Sequence, residues 1–254
     1  MEKTRINKLL SEWGVCSRRE ADAMIEAGRL QVNGRPAEMG QTVSDADVIV
    51  LDGKRLRKKS AQPVILAFNK PAGLICTSSR RDGGENIIDF IGYPGHIFPI
   101  GRLDKDSSGL ILLTDQGELV NRVNRSRYGH EKEYLVTCRK KIGKAFLQAM
   151  EAGVEISVPD RVPGGKAGKD EKRTYHKEKT LPCRTRPVSE YSFRIVLTQG
   201  LNRQIRRMCK ALGNEVTELK RIRIMNIELG QLPSGKWRHV TGEERAELLR
   251  QLTK

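Results

Sequence analysis

FPIGRLDKDSSGLILLTD, residues 98–115, reads as two short strands joined by a charged turn. Phe98 and Ile100 lead in, the almost wholly apolar stretch Leu110 to Thr114 leads out, and Ser107, Ser108 and Gly109 supply turn chemistry between them. The turn carries Arg102, Asp104, Lys105 and Asp106. Ionised side chains between two buried strands are costly to hold unless something binds there. Asp104 has three readings. It can cap its own backbone, as turn aspartates do. It can open a calcium loop, because Asp104, Asp106, Ser108, Gly109 and Asp115 match five EF-hand positions. The last of these is Asp where an EF-hand uses Glu, and the flanks read as strands where helices are required. The third reading is a reactive carboxylate held by an arginine.

Upstream of the turn, Val64 to Phe68 reads as a buried strand that leaves through Asn69-Lys70-Pro71-Ala72-Gly73, and Asn86 to Ile91 as a short helix. Downstream come a helix from Glu118 to Val123, a strand from His130 to Val136 carrying Tyr134, and an amphipathic helix from Lys144 to Ala152. Residues 159–187 are rich in Gly, Lys and Pro without periodicity, and we read them as a basic flexible insert. Tyr191 to Thr198 alternates as a strand should. Asn202 is placed to cap a helix reaching Leu212, with Ile205, Met208, Cys209 and Leu212 on its apolar face and Arg203, Arg206, Arg207 and Lys210 around the rest. A last strand runs from Val216 to Met225 and a terminal helix from Glu243 to Leu252.

The first sixty residues make a unit of their own. Ile6, Leu9, Leu10 and Trp13 follow a helical period, and Ser17 with Glu20 forms a capping box for a second helix that ends at Gly28. Arg18 and Arg19 in its first turn oppose the helix dipole, which makes sense if they meet phosphate. A strand and turn follow from Leu30 to Gly34 and another strand from Asp47 to Leu51, then a polar, basic linker from Gly53 to Pro63.

Over the 254 residues, 47 Lys and Arg against 31 Asp and Glu give a net charge of +16, and 37% of residues are apolar. Such a surface suits phosphate backbones, with an anionic membrane surface as the competing partner. No apolar run approaches the roughly 18 residues of a membrane span, and MEKTRINKLL lacks the apolar core of a signal peptide. Five scattered cysteines without a CxxC pair and four distant histidines offer neither a disulfide frame nor a metal site. We expect a cytoplasmic protein.

Together GRLDKDSSGL, KPAG, KEYLV and QGLNRQIRRM resemble the motifs of the ribosomal RNA pseudouridine synthases, and residues 5–34 resemble an S4 RNA-binding domain. The resemblance spans nearly the whole chain and is similar to the large-subunit branch, some of whose members also modify a tRNA anticodon loop. It implies an α+β chain with an S4-like RNA-binding unit and linker in residues 1–60. Residues 61–254 would hold a catalytic domain on a mixed, mainly antiparallel sheet with flanking helices. It implies Asp104 as the essential carboxylate, Tyr134 stacking on the uracil, Arg206 paired with Asp104, and Leu103 and Leu219 in the uracil pocket. Arg5, Lys8, Arg18, Arg19 and Arg29 are the expected RNA face of the N-terminal unit, and Lys70, Arg102, Arg203, Arg207 and Arg221 the expected RNA contacts of the catalytic one. The implied reaction rearranges one glycosidic bond without redox change, so no cofactor and no metal are expected. The implied partner is 23S ribosomal RNA or a tRNA, met by a monomer. A protein that binds RNA or assists ribosome assembly on the same fold without chemistry is the alternative.

Overall fold

The computed structural model describes residues 3–57, 64–77, 85–124, 129–160 and 174–252. In the N-terminal unit, β1 (Thr4–Arg5), α1 (Ile6–Glu12), α2 (Arg18–Glu26), β2 (Leu30–Val32), β3 (Arg35–Pro36), β4 (Thr42–Val43), β5 (Ile49–Leu51) and β6 (Lys54–Arg55) follow one another. The apolar residues read as helical stripes meet: Ile6, Leu9, Leu10 and Trp13 of the first helix region pack with Ala21 and Ile25 of α2 against Leu30, Val32 and Ile49. The capping box forms as expected. Ser17 Oγ accepts from Glu20 N at 3.2 Å, and Glu20 Oε2 accepts from Ser17 N at 2.7 Å.

The rest of the chain runs β7 (Ile65–Lys70), α3 (Ile87–Ile91), β8 (Phe98–Ile100), β9 (Ser108–Thr114), α4 (Gly117–Asn124), β10 (Lys132–Cys138), α5 (Lys144–Glu151), β11 (Glu155–Pro159) and β12 (Tyr175–Lys179). It continues through β13 (Arg184–Pro187), β14 (Ser192–Leu197), α6 (Gln204–Ala211), β15 (Val216–Ile224), β16 (Ile227–Glu228), β17 (Trp237–His239) and α7 (Gly242–Leu252). One mixed sheet has the order β13-β14-β10-β15-β9-β7-β17, with β8 paired to β9 and β16 to β15. The seam between β15 and β9 is parallel, and the sheet's other described pairings are antiparallel.

The apolar run of β9 is continuous because the sheet is covered on both faces. Leu110 and Leu112, with Ile65 and Ala67 of β7, pack on one side with Leu119 and Val123 of α4 and Leu248 of α7. Ile111 and Leu113, with Leu66 and Phe68, pack on the other with Ile87 and Ile91 of α3. A further core joins Val136, Phe193 and Ile195 of the neighbouring strands to Met150 of α5 and Met208 of α6.

Two expectations need correction here. Residues 159–187 are not one loop: β12 pairs antiparallel with β11, Glu155 opposite Lys179, and β13 pairs with the edge of β14. Their sequences, YHKEK and RTRP, carry no apolar alternation, because these ribbons are held by backbone hydrogen bonds at solvent-facing edges. Residues 161–173 of that insert, and 58–63 of the linker with the expected division at 60/61, lie outside the described residues. Nor does Asn202 cap α6. Arg203 occupies that position in the left-handed region (φ 50°, ψ 37°) and offers no side-chain cap. Among the described residues no helix is long and apolar enough to cross a membrane.

Candidate active site

The charged turn lies where β8 and β9 part. Ile100 pairs with Leu112, and the chain between them folds back through a hydrogen bond from Ser107 N to Asp104 O (3.1 Å). Underneath is Lys70, the last residue of β7, whose inward position leaves it fully buried. Its Nζ donates to the carbonyls of Pro71 (2.8 Å), Lys105 (3.3 Å) and Ser107 (2.8 Å). Burial pushes its pKa down, while the charges of Cys76, Asp106 and Asp104 oppose that fall. Lys70 therefore does not reach RNA, as the sequence suggested; it ties the turn to the sheet from below.

Gly109 permits the approach of β9 to β15. At φ +100° it sits opposite Arg221, and a Cβ there would lie 2.2 Å from the Arg221 carbonyl oxygen. Only glycine accepts both the torsion and the contact.

The carboxylates of the turn face the start of α6. Arg203 Nη1 is 3.4 Å from Asp104 Oδ2. The same guanidinium grips Asp106 with both ends, Nη1 to Oδ1 at 3.0 Å and Nη2 to Oδ2 at 2.9 Å. Arg206, expected to pair with Asp104, instead reaches Asp106: Nη2 is 3.3 Å from Oδ2 and 3.2 Å from the Asp106 carbonyl, while Nη1 donates to Val216 O (3.1 Å). The reason is helical advance. Arg206 lies one turn further into α6 and is captured by the adjacent strand, whereas Arg203, on the left-handed residue before the helix, projects over the turn. Arg203's hydrogen bonds hold the Asp106 carboxyl below the usual carboxylate range, helped by the charge of Arg206 and opposed by burial.

Beside Asp104 opens a cleft of about 540 Å³ lined by Leu103, Ser107, Lys132, Tyr134, Leu219 and Arg221, among others. Tyr134 stands on β10 directly opposite Arg221 on β15, and the Arg221 guanidinium carbon is 6.0 Å from the tyrosine ring centroid. Leu103 and Leu219 are buried in the wall. Arg221, expected at the RNA surface, is 2% exposed; its Nε donates to Leu110 O (2.7 Å) and its Nη1 to Arg102 O (3.4 Å). A strand flanked on both sides leaves an inward side chain no route to solvent, so Arg221 belongs to the cleft. Arg207, half-buried, is engaged by the chain itself. It donates to Asn202 O (2.9 Å), Asn202 Oδ1 (3.0 Å) and Ser157 O (2.6 Å), which consumes all three of its nitrogens. Arg102 is exposed at the rim.

On the N-terminal unit Arg5, Arg18 and Arg19 are exposed, the last two on the first turn of α2. Lys8 pairs with Glu12 at 3.4 Å, and Arg29 is exposed while gripping Asp52 with two nitrogens. His96 Nε2 lies 3.6 Å from Glu20 Oε2, linking this unit to the loop before β8.

The sequence reading passed over Lys132 and Ser107. Lys132 is two residues before Tyr134 in a strand, so the pleat alone sets both on one face. Ser107 was visible only as turn chemistry.

Residues 64–211 match the RNA pseudouridylate synthase family, and residues 4–49 match the S4 domain. The dual-specificity RNA pseudouridine synthase RluF of Salmonella typhi is 45% identical over 248 residues, covering 97% of this chain and 79% of that protein. The ribosomal large subunit pseudouridine synthase B of Bacillus subtilis is 32% identical over 242 residues, 94% of this chain and 93% of that one. A crystal structure of a pseudouridylate synthase superposes with a TM-score of 0.64 at 27% identity, covering 97% of this chain and 99% of that one. The chain belongs to the RNA pseudouridine synthase family, with an S4 domain at its N-terminal end.

Proposed function

We propose that this RNA pseudouridine synthase isomerises a uridine of large-subunit (23S) ribosomal RNA, with Asp104 as its reactive carboxylate. The observation that carries this reading is the placement of Asp104, one-third exposed at the lip of a cleft that Tyr134 and Leu219 wall. Extruding a uridine from folded RNA costs a few kcal/mol. Stacking on the Tyr134 ring returns roughly 1–3 kcal/mol of it, and Arg102 at the rim takes the vacated place or a flanking phosphate. Asp104 then acts on the ribose, as nucleophile at C1′ or as base at C2′. Arg203, with Arg206 behind it through Asp106, holds the ionised turn in place. The exposed Arg5, Arg18 and Arg19, with Lys8 and Arg29, make residues 1–60 the RNA-holding domain and leave residues 61–254 to the chemistry. The protein works as a monomer in the cytoplasm, and a tRNA anticodon loop is a second substrate.

Mapping pseudouridine in ribosomal RNA and tRNA from cells lacking this protein tests the proposal. One site lost from 23S ribosomal RNA and restored by wild type but not by Asp104→Asn is the expected result. Survival of every pseudouridine, or restoration by the variant, would overturn it.

A further inference from the structure

Three polar side chains in the cleft carry donor groups that the described residues use little or not at all. Arg221 uses Nε and Nη1 on the carbonyls of Leu110 and Arg102, while its Nη2 is buried without a partner among the described residues. Ser107, 1% exposed, buries an Oγ that likewise has no partner there. Lys132 stands one pleat from Tyr134 on the same face of β10, and among the described residues its Nζ has only a long bond, 3.5 Å, to the His130 carbonyl. Among the described residues neither Lys132 nor Arg221 forms an ion pair with a carboxylate. Burial, with Arg221 nearby, pushes the Lys132 ammonium down to about 8. Buried donors left unmatched cost stability until a ligand or water meets them. All three groups line the cleft that holds Asp104 and Tyr134.

Resting on the pseudouridine synthase reading, we propose that Arg221 Nη2 and Lys132 Nζ, with Ser107 Oγ beside them, receive the carbonyl oxygens of the extruded uracil and bear its negative charge while it is detached. When N1–C1′ breaks, the bonding pair stays on N1 and spreads to O2 and O4. C1′ is satisfied by a bond to the Asp104 carboxylate or by lending a C2′ proton to it, which later returns. After the base turns, C5 bonds to C1′. The proton that C5 loses is matched by the one N1 gains, so no co-reactant enters. Fixed cations in the cleft wall stabilise the leaving base as preorganised donors stabilise an oxyanion. Arg and Lys only donate, so they also read the O4 acceptor of uracil and reject the amino donor that cytosine has at that position.

The test compares single-turnover rates on large-subunit ribosomal RNA transcribed with uridine or with 5-fluorouridine, whose base is the better leaving group. Lys132→Met keeps the methylene stem and removes the charge. We expect RNA affinity to hold and the rate on uridine RNA to fall roughly 10²–10³-fold, the loss typical of one removed charge-stabilising donor. On 5-fluorouridine RNA the loss of base cleavage should be at least tenfold smaller, and Lys132→Arg should recover most of the uridine rate. Ser107→Ala should give a smaller loss with the same preference for the fluorinated RNA. Equal losses on both RNAs, or weakened RNA binding as for a phosphate contact, would overturn the proposal while leaving the synthase reading intact. If wild type converts neither RNA, the synthase reading itself fails and takes this inference with it.

Discussion

Asp104 and Asp106 are two residues apart and face the same arginine, yet their surroundings differ. Arg203 grips Asp106 with both ends and touches Asp104 with one, at 3.4 Å. Asp104→Asn should therefore lower turnover by at least the roughly 10²–10⁴-fold typical of a lost acid–base group, with RNA affinity unchanged. Filter binding beside a pseudouridine assay separates the two effects. Asp106 has a structural signature instead. Because its folded pKa lies below its unfolded value near 3.9, its contribution to stability is complete above that pH and disappears as pH falls toward the folded value. The stability difference between wild type and Asp106→Asn, read from urea unfolding, should be constant from pH 7 to 5 and shrink below about pH 4. The residue scale was only partly legible in the sequence. Asp104 stood out because charge between apolar strands is rare, but Arg206 was taken over Arg203 from the resemblance of its motif to a family pattern, and a matched position does not give a side chain's reach. Lys70 looked like a surface cation until its three carbonyl acceptors were seen.

At the scale of elements, local signals were dependable only in part: the Ser17 box formed and the Asn202 cap did not. The cap at Ser17 was readable because donor and acceptor are three residues apart. The ribbons β11–β12 and β13–β14 were not, since polar sequences pair there through their backbones. The left-handed turn at Arg203 carries no signal of its own. Ser17→Ala should cost about 1 kcal/mol of stability through loss of the capping box, measured by thermal unfolding. Gly109→Ala should be far worse. A Cβ 2.2 Å from a backbone oxygen of β15 has no soft neighbour to displace, and the torsion alone costs about 1–3 kcal/mol. The parallel seam between β9 and β15 must open, which would show as loss of cooperative unfolding or of soluble protein.

Taken whole, the molecule carries a large excess of positive charge. With its net charge of +16, counterion release should make RNA affinity strongly salt-dependent. Arg18 and Arg19 sit exposed on the first turn of α2, where helix dipole and charge both favour phosphate. Replacing both with Ala should reduce the slope of log affinity against log salt by about 1.4–1.8, at 0.7–0.9 per phosphate contact, with little change in the rate at saturating RNA. Titrations between low and moderate salt would read this directly. Only an expected division into an RNA-holding part and a sheet-based part was legible from the change of pattern near residue 60, and its boundary lies outside the described residues. How the two meet was not, because contacts such as His96 with Glu20 join residues far apart in the chain.

The ammonium beneath the turn has a kinetic consequence. With its carbonyls already tied to β7, the turn spends its conformational entropy during folding, and no ordering of that segment awaits the substrate. The slow motion before chemistry then belongs to the nucleic acid. RNAs whose target nucleotide is already unstacked should be modified fastest, so the tempo of the enzyme is set by the breathing of its substrate.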